Sequence, residues 1–307
     1  MRMTKIGVAL ALAGLVAGSA MAKEGGDQYP NGAENWYAGA LPPPGNYFIN
    51  YFGYYSGKLR NGNGDKVNLG GKTPEVNAWF DALRFVQVTD KSILGGNWLW
   101  HVIVPVVHQS IDFAPLGGRE SEFGIGDVTV SPFNIAWHFG PEWHAVAGMD
   151  INLPTGSYDK NDLRTSIGAN YTSFEPAFAV SYLGQNGWEA SAKLMYNIKT
   201  RNRDTDYESG DEFHMDYLVG RNFGPWGVGL SGYYLKQVTN DKLNGRTVAA
   251  APGLWSEGRK GEVFAIGPSV KYTTKGGTTF VGQWQHETAV ENRFGGDKLW
   301  FKMILPL

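Results

Sequence analysis

The stretch Val128–Leu153, VTVSPFNIAWHFGPEWHAVAGMDINL, decides how this chain is read. From Trp143 onward the odd positions hold Trp143, Ala145, Ala147, Met149, Ile151 and Leu153, and the even ones His144, Val146, Gly148, Asp150 and Asn152. A largely apolar row at every second residue is the period of a strand. Upstream, Ile135, Trp137 and Phe139 share a face opposite Asn134, Ala136 and His138, and the two arms meet at Gly140-Pro141, which has the chemistry of a tight turn. Val128 and Val130 are even-numbered whereas Ile135 and Trp137 are odd, so the spacing predicts a bulge near Ser131-Pro132. Each arm is long enough to cross a bilayer as a tilted strand of roughly 9 to 11 residues. In such a strand the apolar side faces lipid and the polar side a lumen.

Working outward, the same unit recurs. Strands are expected at about 46–59, 76–89, 98–110, 124–139, 142–154, 171–183, 188–199, 212–223, 226–239, 261–273, 278–289 and 297–306. The first three are the least periodic, because residues such as Phe48, Ile49, Tyr51 and Phe52 put apolar groups on both faces. Short glycine-containing connections follow the fourth, sixth, eighth and tenth strands: Gly140-Pro141, Gly184-Gln185-Asn186-Gly187, Gly224-Pro225 and Thr274-Lys275-Gly276-Gly277. Longer polar ones follow the first, third, fifth, seventh and ninth, while the second and eleventh are intermediate. Alternating short turns and long loops are the habit of outer-membrane barrels, whose strand number is even. Aromatics gather beside the short turns, as Trp137 and Trp143, Tyr182 and Trp188, Phe223 and Trp226, Tyr272 and Phe280, which reads as an interfacial girdle. The expected fold is all-β: a closed antiparallel transmembrane β-barrel of about 12 strands.

The two faces separate most cleanly over 188–199. Trp188, Ala190, Ala192, Leu194, Tyr196 and Ile198 form the outward row, and Glu189, Ser191, Lys193, Asn197 and Lys199 the inward one, with Met195 out of place. The last strand turns Leu299, Phe301, Met303, Leu305 and Leu307 outward and Lys298 and Lys302 inward, beside Trp300 and Ile304. Extending the same phase gives a candidate lumen lining of Glu189, Lys193, Lys199, His214, Asp216, Gln283, Gln285 and Glu287.

Residues 1–22 read as a secretory signal peptide, with Arg2 and Lys5, a short apolar run over Ile6–Ala17, and a small-residue cleavage site at Ala20-Met21-Ala22. Without Arg2 and Lys5, 25 of the 27 basic residues remain against 29 acidic ones, a mature net charge of about −4 that offers nothing to nucleic acid. There is no cysteine, hence no disulfide, thiolate metal site or thiol catalysis. Trp98–Val107, the greasiest run of the mature chain, is broken by His101 and Pro105, so helical membrane spans are excluded. Residues 23–45, KEGGDQYPNGAENWYAGALPPPG, lack any period and close on three prolines and a glycine. Two readings stay open for them, a periplasmic tail and a plug in the barrel mouth, and Tyr29, Trp36, Tyr37 and Leu41 favour the plug. The division expected is therefore signal peptide 1–22, N-terminal periplasmic or plug segment 23–45 and barrel 46–307.

Candidate chemistry is thin. His138 and His144 share the polar face near one turn, but two imidazoles with Glu142 nearby make a poor metal site. Asp204, Asp206 and Glu208 alternate as in a calcium loop, yet Ser209 stands where that loop needs glycine and Met215 where it needs a bidentate glutamate. Ser157, and Ser110 near His108, lie in no nucleophile motif, and Gly124-Ile125-Gly126 precedes a strand where a dinucleotide loop precedes a helix. The expectation is no catalytic residue, no metal and no cofactor.

Six segments carry a resemblance: GAENWYAGALPPPGNYFINYFGYYSG from Gly32, FGIGDVTVSPF from Phe123, DINLPTGSYD from Asp150, SFEPAFAVSYL from Ser173, SGDEFHMDYLVG from Ser209, and the closing GDKLWFKMILPL. They are spread over nearly the whole mature chain, which resembles a family of outer-membrane proteins named for the meta-pathway of phenol degradation. The resemblance implies an outer-membrane, porin-like barrel associated with aromatic or hydrophobic compounds, and transport as its role. The partners expected are outer-membrane lipid and a small hydrophobic solute, and the alternating last strand suits recognition by barrel-assembly machinery. Three function classes remain: a channel for passive uptake of small hydrophobic or aromatic compounds, a lipid-modifying barrel enzyme, and a structural or adhesive barrel.

Overall fold

Backbone N–H and C=O groups left unpaired in hydrocarbon are costly, so strands that cross a membrane must close on themselves. In the computed structural model, which describes residues 27–307, twelve long strands do so. They are β1 (Gly45–Leu59), β2 (Glu75–Ile93), β3 (Gly96–Phe113), β4 in two arms (Gly118–Ile125 and Thr129–Phe139), β5 (Trp143–Asn152) and β6 (Ser173–Leu183). The second half continues with β7 (Trp188–Lys199), β8 (Glu212–Phe223), β9 (Trp226–Gln237), β10 (Glu262–Thr273), β11 (Thr279–Glu291) and β12 (Phe294–Pro306). Each pairs antiparallel with the next, and β12 returns to β1 from Tyr47↔Pro306 to Leu59↔Phe294, so the ring has no free edge. The signal peptide expected over 1–22, and residues 23–26 of the following segment, lie outside the described residues.

The deciding hairpin folds as its alternation requires. Trp143 pairs with Phe139 and His144 with His138 across the turn, where Gly140 takes a positive φ of 74°. The register slips by one residue between Val130 and Asn134, the bulge that the change of facing demands. Three connections differ from expectation. The third is only Ala114–Gly117, because β3 runs on to Phe113 and the first arm of β4 begins at Gly118. Residues 118–122 are charged or small and largely exposed, which gives a projecting hairpin the composition of a loop. The eleventh is a two-residue turn, Asn292-Arg293, on the side of the long loops. The second, Leu94-Gly95, is also two residues and falls in with the short turns.

Loops close over one end. Leu69, Leu163 and Trp255 come from three of them and pack on Val76, Ile111 and Phe113. A small sheet of Tyr207–Glu208, Lys242–Leu243 and Arg246–Thr247 ties two loops together. At the other end Phe139, Trp143, Trp188, Phe223 and Trp226 are exposed, with Trp143 on Tyr182 and Trp226 on Tyr272 at ring-centroid distances of 5.0 and 4.7 Å. Amphipathic rings levelled beside the turns mark a membrane interface. Between the ends Val219, Val228, Leu230, Leu299 and Phe301 project outward, whereas Glu189, Asp216, Lys271 and Lys302 are buried inside. A ring with this apolar exterior and polar interior is a transmembrane barrel of the bacterial outer-membrane kind.

Leu194, in the middle of the outward row of β7, tests that face. Leu194→Arg is expected to lower the unfolding free energy by about 2–4 kcal/mol in urea titrations of vesicle-inserted barrel. Lys193→Gln, one residue away and facing in, is expected to cost far less. Equal losses would overturn the assignment of faces.

Candidate functional site

The aperiodic segment before β1 occupies the lumen. Its sequence dictates two turns. Gly32, with a φ of 88°, turns the chain after Pro30, where Ala33 N donates to Pro30 O at 3.1 Å. A second turn runs from Asn35, with Ala38 N donating to Asn35 O at 3.2 Å and Ala40 N to Tyr37 O at 2.9 Å. Pro42-Pro43-Pro44 then holds an extended approach to β1 at little entropic cost.

Side chains of β6 to β8 and β10 to β12 hold this segment, mostly by its backbone. Asp216 accepts from Gly32 N at 2.8 Å, Glu34 N at 3.0 Å and the Tyr29 hydroxyl at 2.7 Å. Gln283 and Gln285 donate to Gly32 O at 2.7 and 3.2 Å, and Gln283 accepts from the Asn35 amide. Glu189 accepts from Tyr37 N at 2.8 Å, and Ser181 Oγ accepts from Gly39 N at 2.9 Å. Lys298 and Lys302 donate to Asn31 O and Ala33 O at 3.0 and 3.3 Å. Trp36, only 1% exposed, donates from Nε1 to Ser269 Oγ at 2.8 Å, and its ring fills a recess that exists because residues 220 and 227 are glycine. A Cβ at Gly220 would stand 2.5 Å from the ring. Backbone donors that would otherwise be buried without partners are thus satisfied by wall side chains, an arrangement specific to this one seating.

Of the candidate lining, Glu189, Asp216, Gln283 and Gln285 hydrogen-bond the segment directly. Lys193 stands 4.6 Å over the ring of Tyr29, and the His214 ring centroid is 5.1 Å from that of Tyr29. Lys199 pairs with Glu212 at 2.6 Å, and Glu287 is held by the Tyr55 and Tyr233 hydroxyls and by Gly296 N. Tyr29, Trp36, Tyr37 and Leu41 all belong to the lumen segment, with Tyr37 under the Lys271 ammonium at 3.7 Å. Burial, and then the carboxylates of Asp216 and Glu34, push the Tyr29 phenol well above its usual value. Burial and the Glu189 carboxylate push Tyr37 up to about 12. Burial alone would raise the Glu34 carboxyl, but the Lys302 ammonium and the Arg84 guanidinium outweigh it and hold Glu34 below the ordinary carboxylate range.

On the opposite flank, toward β2, β3 and β5, the segment leaves space. A loop-end chamber of about 310 Å³ is walled by Val76, Phe80, Ala82, Ile103, Val107 and Ile111. A turn-end chamber of about 490 Å³ is walled by Leu41, Tyr47, Ile49, Val86, Leu99 and Val146. A septum of side chains stands between them. Arg84 pairs with Glu34 and places Nη2 3.1 Å from His101 Nδ1. His101 Nε2 lies 3.2 Å from Asp150 Oδ1, and Lys193 Nζ lies 3.8 Å from Asp150 Oδ2. Asp150 lines both chambers, and the Tyr51 hydroxyl donates to Glu34 at 2.8 Å.

Sequence reasoning passed over Arg84, His101 and Asp150 as a group. The available signal was that Arg84 and His101 interrupt inner rows that are apolar from Val76 to Val88 in β2 and from Leu99 to Val107 in β3. His138 and His144 face each other across the hairpin with Nδ1 atoms 2.7 Å apart at the turn end. Among the described residues no group of three or more metal-ligating side chains occurs. Asp204 accepts from Asn170 and Asp206 pairs with Arg201 at 3.2 Å, both in loops, while Ser110 Oγ accepts from Arg119.

The comparisons agree with this architecture. The model of a family described as the putative MetA-pathway of phenol degradation matches residues 56–303, and the chain belongs to that family. No curated protein matches the sequence. An outer membrane channel from Pseudomonas putida F1 superposes with a TM-score of 0.72 at 14% identity, over 87% of this chain and 97% of that one. The translocator domain of the autotransporter NalP from Neisseria meningitidis superposes with a TM-score of 0.50 at 7% identity, over 88% of this chain and 91% of that one. At these identities the likeness is one of fold.

Proposed function

We propose that this member of the family is an outer-membrane channel for passive uptake of small hydrophobic or aromatic compounds, with residues 27–44 as a plug that narrows the path. The observation that carries the reading is the apolar wall that β2 and β3 turn toward the lumen, from Val76 and Ile111 at the loop end to Val86 and Leu99 near the turns. Polar solutes gain nothing from such a surface. Apolar ones gain about 25 cal/mol for each Å² they bury against it. The Pseudomonas putida protein of like fold is itself an outer membrane channel, which adds support. Outer-membrane lipid surrounds the barrel on this reading, and barrel-assembly machinery would receive the alternating β12, which is followed by Leu307.

The lipopolysaccharide leaflet is what such a channel bypasses, so the test belongs in cells. Cells of a Gram-negative host that carry the protein are expected to take up radiolabelled phenol or toluene faster than cells without it. Proteoliposomes of the same protein are expected to swell in arabinose only marginally faster than protein-free ones. Unchanged uptake of the aromatics, or porin-like swelling, would overturn the reading.

A further inference from the structure

The turn-end chamber carries a charge imbalance that its apolar walls do not explain. Its lining holds the cations Arg84, Lys193 and Lys302 against the carboxylates Glu34 and Asp150, a surplus of one positive charge with the histidines neutral. The pairs are not evenly shared. Glu34 takes Arg84 directly and Lys302 at 3.5 Å, and Asp150 has His101 closer, at 3.2 Å, than Lys193. The contacts Lys193 keeps among the described residues are the 3.8 Å pair with Asp150 and the face of Tyr29 at 4.6 Å. A cation in a largely apolar enclosure favours a counter-ion more strongly than one in water. The loop-end chamber has the opposite balance, with Asp27, Asp127, Asp150, Glu175 and Glu287 against Arg293 and Lys298. The balance of charge thus favours an anion on the turn-end side of the septum over the loop-end side.

We propose that the turn-end chamber is a binding subsite for a small organic carboxylate with an apolar body, its head on Lys193 Nζ beside Arg84 and its body against Val86, Leu99 and Val146. The inference rests on the channel reading, and it narrows the cargo: the favoured solute is an arene or short aliphatic bearing one acid, above a bare hydrocarbon. A hydrocarbon reaching the septum must part Glu34 from Arg84 and Asp150 from His101 and offers nothing in exchange. A carboxylate supplies the close acceptor that the 3.8 Å pair with Asp150 does not give Lys193.

Benzoate, toluene and benzylamine share a ring and differ in head group. Titrated into the full chain in detergent at neutral pH, with calorimetry as readout, benzoate is expected to bind at least about tenfold tighter than either of the others, as a charged hydrogen bond in a shielded site allows. Lys193→Gln is expected to remove that preference, and Lys193→Arg to keep it. Benzoate binding no tighter than toluene or benzylamine overturns the proposal on the unaltered protein, whatever the variants do. A preference that survives Lys193→Gln overturns the assignment of the head group. Equilibrium binding involves no flux, so failure here is distinct from failure of phenol or toluene uptake in cells, which tests the channel itself.

Discussion

Deleting residues 29–41, with residues 1–22 kept, is expected to raise the single-channel conductance severalfold and to speed the entry of polar solutes such as arabinose relative to the intact barrel. Twelve strands enclose more than the side-chain-filled interior of an eight-stranded barrel and less than the open channel of a sixteen-stranded porin. In this chain the difference is taken up by the segment that carries Tyr29, Trp36, Tyr37 and Leu41. Removing it leaves an inner wall bearing Asp216, Glu189, Glu175, Lys271, Lys298 and Lys302, which are buried at present. Both signs are represented, so the opened pore is expected to conduct with weak ion preference. Planar-bilayer recordings of the two proteins decide it. If the shortened barrel inserts normally and its conductance is unchanged, the segment is no obstruction and passage along its flank cannot be the route.

The barrel was legible where the two faces differ in polarity. Strand β7 sets Glu189, Ser191 and Lys193 against Trp188, Ala190 and Leu194, and β12 sets Lys298 and Lys302 against Leu299 and Phe301, so period two stands out in the letters alone. The segment before β1 was legible as something other than strand, because prolines and glycines forbid a ladder there. Strands β1 to β3 were blurred for a reason that bears on function. Val76, Ala78, Phe80 and Ala82 face the lumen while Trp79 and Leu83 face lipid, and Asp81 lies on the outer row too. A wall apolar on both sides has no alternation to read. It is also the wall beside the open flank of the segment before β1.

The septum was hidden by distance. Glu34, Arg84, His101, Asp150 and Lys193 come from the segment before β1 and from β2, β3, β5 and β7, and nothing in their spacing announces that the register will bring them together. The third connection was hidden by composition, since Arg119, Glu120 and Glu122 on a hairpin standing clear of the barrel look like any polar loop. In both cases the deciding information is which strand lies beside which, and that is fixed by ring closure as a whole.

Glu189 joins the wall to the segment before β1 through one carboxylate, and Glu189→Leu is expected to lower the unfolding free energy by about 3–5 kcal/mol, the usual loss on stranding one partner of a buried pair. Its Oε2 lies 3.1 Å from Lys271 Nζ, with Glu189 wholly buried and Lys271 nearly so. The same carboxylate accepts from Tyr37 N at 2.8 Å and from the Asn222 amide at 3.1 Å. Leucine leaves the Lys271 ammonium facing the rings of Tyr37 and Trp36, at 3.7 and 4.5 Å, with the cation–π contacts alone to offset its desolvation. Changing both residues, Glu189→Leu with Lys271→Met, removes the stranded charge and leaves the Tyr37 N–H and the Asn222 amide as the groups without their acceptor. That remainder of unmet hydrogen bonding is worth about 1–3 kcal/mol. The double variant is therefore expected to be more stable than the Glu189→Leu single in urea unfolding of vesicle-inserted protein, an inversion that additive effects cannot produce. If the two changes simply add, the pair does not hold the segment before β1 against the wall, and the seating of Tyr37 must rest on its aromatic contacts.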